Sequence, residues 1–381
     1  MLRGGVAAAA GRATPSLESV GAPGLVAVSA SSPVVFSPRY DITAGGIEQL
    51  HPFDSTKYSR VAAGLVKAGM VRADGFSRPR QLPLGVLSRV QGPLWLAAMG
   101  YGARAMLATE VPLVMLPSWL VWWRVLEPMQ LACAGTVCAV ELALTRPEGW
   151  AVNLGGGFHH ARRGYGHGFC VHNDLTLAAL HALNGKDATG AAWCGRVLYL
   201  DLDVHQGDGF ERDLGRDGRV AIVDAFHPGL FPGDDAAAAC PAITERGATF
   251  HHRSGDDGAR FLAWLRRCLP ELIAEADPDL VLYNAGTDIL EGDPLGGLDM
   301  PEAAVRERDA IVFRCCGVGS RGPAKSPAAA SDDANDLFRR SGGRRRALAM
   351  ALSGGYQDLT AGVVVRSLAA VDAELGLSDG P

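Results

Sequence analysis

The sequence predicts a single α/β domain of three layers, with helices covering both faces of a central, mostly parallel sheet. Three observations carry this expectation. Short apolar runs recur between Trp150 and Ile289, and each stops at a Gly- or Asp-rich turn. Helical patterns fill the intervals between them. The chain has 381 residues and is 48% hydrophobic, enough for one large core. Length alone also permits two smaller domains, so the alternation decides.

In chain order, residues 1–32 are rich in Ala, Gly and Ser, with Arg3 and Arg12 and the single acid Glu18. They read as a disordered tail, with an organellar transit peptide as the sharper alternative. The domain is expected over residues 33–375. The longest apolar run, Val111 to Val125, is interrupted by Pro112, Pro117 and Arg124 and is too short and broken to span a bilayer. Strands are expected at Ala151–Leu154, Val197–Leu202, Val220–Val223, Leu280–Asn284 and Ala347–Leu352, and a helix at Ala259–Ala276. Near-continuous apolar strands are buried on both faces, which is the signature of a parallel sheet.

Two segments stand apart. Residues 78–108 carry no Asp or Glu and several Gly and Pro, which suits neither a helix nor a solvated loop. They read as residues substituted by a frame slip or a mis-called exon. Residues 317–346 are low in apolar content and read as a disordered, low-complexity surface insertion, the trace of a retained intron. Net charge is −5 and the pI is near 6.1, so no global basic character points to nucleic acid. The eight cysteines form neither a disulfide pattern nor a CxxC knuckle, which implies a reducing compartment.

Four polar motifs fall at the ends of expected strands, where parallel sheets collect their chemistry. In Asp201-Leu-Asp203-Val-His205, alternation puts three polar groups on one face, and carboxylate and imidazole both ligate divalent transition metals. Gly155-Gly-Gly-Phe-His159-His160 offers two adjacent histidines suited to general base and general acid work. Asn284-Ala-Gly-Thr-Asp288 adds a carboxylate, and Ser353-Gly-Gly-Tyr356 a phenol that can donate to an oxyanion. Each motif alone also fits a satisfied polar loop. Four together imply metal-assisted amide hydrolysis, with three protein ligands and one open position.

These residues resemble the histone deacetylase family, and most closely its class IV branch. The matching text is SPRYDI, HPFDSTKY, GWAVNLGGGFHHA, GFCVHNDLTLA, LYLDLDVHQGDG, FPGD, NAGTDILEGDPLGGL and SGGYQ, spread over residues 33–366. The resemblance implies an arginase/deacetylase-like fold and a Zn2+ ion held by Asp203, His205 and Asp288. It further implies His160 as general base beside His159, Tyr356 as oxyanion donor, and Asp201 and Asp208 as supports for His159 and His160. Phe169 and Phe231 match the walls of an acyl-lysine tunnel, and Gly168 a backbone contact to substrate. The implied partners are acyl-lysine proteins such as histone tails, without direct nucleic-acid contact. The implied location is nucleus or cytoplasm. Class IV enzymes are associated with long fatty-acyl groups, so acetyl and longer chains are both open. Acetylpolyamine-type deacetylation and a binuclear manganese ureohydrolase remain alternatives. The spacing after Asp288 suits a second metal poorly.

Overall fold

The computed structural model describes residues 27–29, 32–43, 46–50, 52–99, 102–113, 116–186, 190–318 and 332–377. Its strands, in chain order, are β1 (Ala27–Ser29), β2 (Val34–Val35), β3 (Arg78–Pro79), β4 (Trp150–Asn153), β5 (Val197–Asp201), β6 (Val220–Phe226), β7 (Ala248–His251), β8 (Leu280–Asn284) and β9 (Ala347–Ala351). β1 and β3 form a small antiparallel ribbon, and the other seven strands form one sheet in the order β2-β4-β9-β8-β5-β6-β7. Every pairing in that sheet is parallel. The fold is therefore a single α/β domain around an all-parallel sheet.

Alternate residues of the central strands enter two separate cores. Leu198, Leu200, Val281, Tyr283, Leu348 and Met350 face one, and Val197, Tyr199, Leu280, Leu282, Ala349 and Ala351 the other. Helices Lys57–Lys67, Ala259–Ala276, Glu302–Cys316 and Thr360–Leu375 cover the first face. Helices Glu127–Thr145 and Asp174–Asn184 pack together over the second. The continuous helix Ser118–Thr145 is long and apolar enough to cross a membrane, but 78% of its apolar window is buried inside the molecule. Its apolarity is thus accounted for by packing.

Topology positions the site. After β5 the chain builds outward through β6 and β7, then returns to place β8 on the other side of β5. That reversal opens a crevice beyond the strand ends, the usual place for a ligand in such sheets. The register sharpens it: Asp201 pairs with Asn284, Asn284 with Ala351, and Ala351 with Asn153. Four strands therefore end at one level, and the four polar motifs begin there.

Several expectations are corrected. The strand expected at Leu280–Asn284 has those bounds, the one expected to end at Leu202 stops at Asp201, and the other three shift by one to three residues at an end. Residues 27–29, read as tail, form β1, while residues 1–26 lie outside the described residues. Three short helices, Leu84–Gln91, Pro93–Met99 and Gly102–Thr109, bury Leu87, Val90, Trp95, Met99, Ala105 and Ala108. Pro83, Gly92 and Pro93 stand at helix ends, where their backbone preferences are tolerated, so they punctuate helices instead of excluding them. In the expected insertion, Asp332–Arg340 is a helix docked on Ala259–Ala276, with Leu337 buried and Arg340 donating to the carbonyls of Arg266 (3.1 Å) and Arg267 (2.7 Å). Arg344 and Arg346 pair with Asp277, at 2.9 and 3.3 Å. Composition averaged over thirty residues hid this local order; residues 319–331 lie outside the described residues.

Candidate active site

The loop after β4 is shaped by a buried carboxylate. Asp174, the first residue of helix Asp174–Asn184, accepts hydrogen bonds from the backbone N–H of Gly157 (2.9 Å) and Phe158 (2.8 Å) and from Thr136 Oγ1 (2.5 Å). Gly157 has φ +84°, and a Cβ there would lie 2.6 Å from Ser353 Cα, so only glycine lets this loop meet the one after β9. The turn delivers His159 and His160 side by side, with ring centroids 4.1 Å apart and both buried.

Each histidine is held by its own carboxylate. His159 Nδ1 lies 2.8 Å from Asp201 Oδ2, and His160 Nδ1 2.9 Å from Asp208 Oδ1. Asp201 also accepts from Tyr199 Oη, Asn284 Nδ2 (3.0 Å) and the Asp203 N–H (3.1 Å). Asp201 is therefore turned away from the Asp203–His205 face, which corrects the strand-alternation reading. The strand ends at Asp201, and the loop that follows reorients Asp203 and His205.

Asp203, His205 and Asp288 converge, with ligand atoms within 4.8 Å of one another and all three side chains buried. His205 Nδ1 is 3.1 Å from Asp203 Oδ1 and 3.1 Å from Asp288 Oδ2. A tetrahedral ion with bonds of about 2.0–2.2 Å spaces its ligand atoms by roughly 3.3–3.6 Å. The donor set of two carboxylates and one imidazole suits a divalent transition ion. The surroundings are cut to leave these oxygens uncrowded. A Cβ on Gly354 would lie 2.2 Å from Asp288 Oδ2 and 2.7 Å from Asp203 Oδ2, and one on Gly286 would lie 2.1 Å from Asp203 Oδ2. The residues present therefore fit such an ion.

Groups to which the sequence reading gave no role hold this cluster. Lys57, buried in helix Lys57–Lys67, donates from Nζ to the carbonyls of Ser353 (2.6 Å) and Gly354 (3.1 Å). Ser353 Oγ and the Gly354 N–H in turn donate to Asp203 Oδ2 at 2.9 and 3.0 Å. Arg308, fully buried on helix Glu302–Cys316, donates from Nη1 to the carbonyls of Leu202 (3.2 Å) and Gly286 (2.5 Å), which flank Asp203 and Asp288. Lys57, Ser353, Asn284 and Asp174 all sit inside the motifs quoted above, which is the signal that could have found them. Arg308 gave none beyond a charged residue in a helix.

The aromatic residues divide. Phe169 is buried, with φ +61°, and packs 4.8 Å from Phe53. Phe231 is 43% exposed and stands edge-on to His160 at 4.9 Å. Gly168 lies between them. A Cβ there would meet His160 at 2.6 Å and Phe231 at 2.9 Å, and its N–H donates to Glu110 Oε1 at 3.2 Å. A cavity of about 30 Å³, room for a water molecule, is lined by Phe53, Phe169, His159, His160, Asp203 and Tyr356 among others. Phe231 stands at its rim, not in its wall.

Electrostatics separates the two histidines. Burial would lower both. The carboxylates of Asp201 and Asp203 overcome this for His159 and raise it to about 9. For His160, burial and then the charge on His159 prevail over Asp208 and lower it to about 3. His160 is thus a free base at neutral pH. A divalent ion beside Asp203 would lower His159 as well. Tyr356, part-buried and 6.2 Å from the His205 ring, is held well above the usual phenol range by burial and by Asp288 and Asp203. It remains a hydrogen-bond donor throughout.

This geometry matches what the comparisons find. The histone deacetylase domain pattern matches residues 51–321. The chain belongs to the histone deacetylase domain family. Within that family, histone deacetylase 2 of Arabidopsis thaliana is 38% identical over 282 residues, 74% of this chain and 70% of that protein. An uncharacterised protein of Picosynechococcus is 30% identical over 285 residues, 74% of this chain and 87% of that protein. Human histone deacetylase 1 is 31% identical over 173 residues, 45% of this chain and 34% of that protein. The crystal structure of the HDA15 HD domain aligns with a TM-score of 0.63 over 93% of this chain and 91% of that one, at 21% identity, which speaks for the fold.

Proposed function

We propose that this protein is a zinc-dependent lysine deacylase of the class IV branch, hydrolysing the amide of acetyl- or longer acyl-lysine side chains in proteins such as histones. One observation carries the reading: His159, His160, Asp203 and Tyr356 line a single small cavity, with Asp201 and Asp208 behind the two histidines and His205 and Asp288 clustered with Asp203. Asp203, His205 and Asp288 would hold the zinc ion, which when bound supplies Lewis-acid polarisation of the amide carbonyl and acidifies water. His160, neutral and with Nδ1 committed to Asp208, presents Nε2 to take the proton of the attacking water. The same imidazole then returns it to the leaving lysine amine. Tyr356 donates its hydroxyl hydrogen bond to the oxyanion, and His159, held by Asp201, lines the same cavity. The resemblance of NAGTDILEGDPLGGL supports the class IV branch. Against the binuclear ureohydrolase alternative, the second donor group among the described residues, His160, His167 and Asp208, shares no residue with the first.

The test is an assay of purified protein on acetyl-lysine and myristoyl-lysine peptides, with zinc and with a chelator. Free lysine released with zinc and suppressed by chelator is the expected result. Activity on neither peptide, in protein that binds zinc, refutes the reading; activity only on free acetylpolyamines moves it to that substrate class.

A further inference from the structure

The two His–Asp pairs are not built alike. Asp201 shares its carboxylate with a phenol, an amide and a backbone N–H, and among the described residues with no imidazole other than His159. Asp208 is divided between two imidazoles. His160 Nδ1 lies 2.9 Å from its Oδ1, and His167 Nε2 lies 3.2 Å from its Oδ2. The Asp208 side chain is 3% exposed and that of His167 is 17% exposed, so the second histidine reaches from the rim inward.

The backbone explains the reach. His167 and Cys170 face each other as an antiparallel bridge, and the Cys170 N–H donates to the His167 carbonyl at 2.9 Å. Between them Gly168 and Phe169 both take left-handed backbone, at φ +56° and +61°. This tight turn carries Phe169, which lines the cavity, and Gly168, which touches His160. The His167 ring is held between Phe231 at 4.9 Å and Tyr165 at 5.0 Å. The charged groups around it are Asp208, the His159–Asp201 pair beyond His160, Glu110 on the Gly168 N–H, and Arg162, whose guanidinium sits 4.9 Å over the Tyr165 ring.

Resting on the deacylase reading above, we propose that His167 is a positioning residue for His160. It donates through Nε2 to Asp208, fixes that carboxylate's rotation so that Oδ1 meets His160 Nδ1, and ties the cavity-wall turn 168–169 to the same carboxylate. Removing the donor should therefore free Asp208 to rotate and loosen His160.

The experiment compares the full chain with two variants. His167→Phe keeps a ring between Phe231 and Tyr165 but has no donor, while His167→Gln keeps an amide N–H at comparable reach. His167→Phe should lower kcat by about 10-fold, the lower end of the cost of losing a supporting hydrogen-bond partner. It should leave KM within about twofold. His167→Gln should restore most of the lost kcat. A readout independent of turnover is the low-field ring N–H resonance of His160 in 15N-histidine-labelled protein, expected to move in His167→Phe and to return in His167→Gln. An unmoved His160 resonance in His167→Phe overturns the proposal, as does equal impairment of the two variants. An inactive wild type in which the resonance still moves counts against the deacylase reading and leaves the clamp standing.

Discussion

Gly354→Ala tests whether the cluster of Asp203, His205 and Asp288 is a metal site. The perturbation adds one methyl group. Its carbon would lie 2.2 Å from Asp288 Oδ2 and 2.7 Å from Asp203 Oδ2, whereas real Cβ contacts essentially never fall below 3.0 Å. The nearer carboxylate must therefore give way by at least 0.8 Å, taking 2.2 from 3.0. It has little room to do so, because Asp288 Oδ1 is fixed by the Val204 N–H at 3.0 Å and Asp203 Oδ2 by Ser353 and Gly354 itself. Metal–oxygen bonds tolerate departures of only about 0.2 Å, so at least one ligand leaves the ideal shell. Outer partners of metal ligands already cost about 10–100-fold in affinity when lost, so zinc affinity should fall by at least about 10²-fold, or about 2.7 kcal/mol. The assay is a competition titration of zinc against a chromophoric chelator, with circular dichroism confirming the fold. Gly218→Ala, whose Cβ meets nothing within 4 Å, is the control. Wild-type zinc affinity in a folded Gly354→Ala protein would refute both the geometry and the ligand assignment.

Other outcomes follow from the same structure. Asp203→Ala should abolish zinc content and turnover together, and zinc at full stoichiometry by elemental analysis would contradict the ligand set. Tyr356→Phe should keep zinc and lower kcat by on the order of 10²-fold, the cost of one oxyanion donor; a smaller loss than tenfold in steady-state kinetics argues against that role. Arg308→Met removes the cation that binds the Leu202 and Gly286 carbonyls and pairs with Asp309 at 2.9 Å, so it should destabilise the protein by about 3–5 kcal/mol in urea denaturation. Glu211, buried and raised to about 7 by burial despite hydrogen bonds from its neighbours, binds its proton more tightly folded than unfolded. Its contribution is present at pH below the unfolded value of about 4.3 and is lost as pH rises toward 7. Glu211→Gln should therefore flatten the fall of melting temperature across that window, and an unchanged slope would count against the assignment.

The motifs were legible because chemistry constrains residue type as well as spacing. Paired histidines, a carboxylate–imidazole pair and a tyrosine on a glycine turn stand out even without coordinates, and the strands before them are marked by unbroken apolar runs. The helices within residues 78–108 and 317–346 escape a reading that weighs Gly, Pro and Arg content over whole segments. Pro83 and Gly92 end helices instead of breaking them, and Arg340, Arg344 and Arg346 are neutralised by carbonyls and carboxylates from elsewhere in the chain. His167 was passed over because a lone histidine beside a glycine carries no spacing signal.

The sequence by itself determined the layered α/β class and the identity of the reactive groups, since both are written in local pattern and residue type. Tertiary structure alone decided their division of labour. Asp201 and Asp203 are two residues apart, yet one faces His159 and the other His205 and Asp288. That split depends on where β5 ends, on the switch point that sets β8 beside it, and on Lys57 and Arg308 gripping the intervening carbonyls. Lys57 meets Ser353 across 296 positions and Arg308 meets Leu202 across 106, and no local pattern encodes a hydrogen bond whose two ends meet only when the sheet closes.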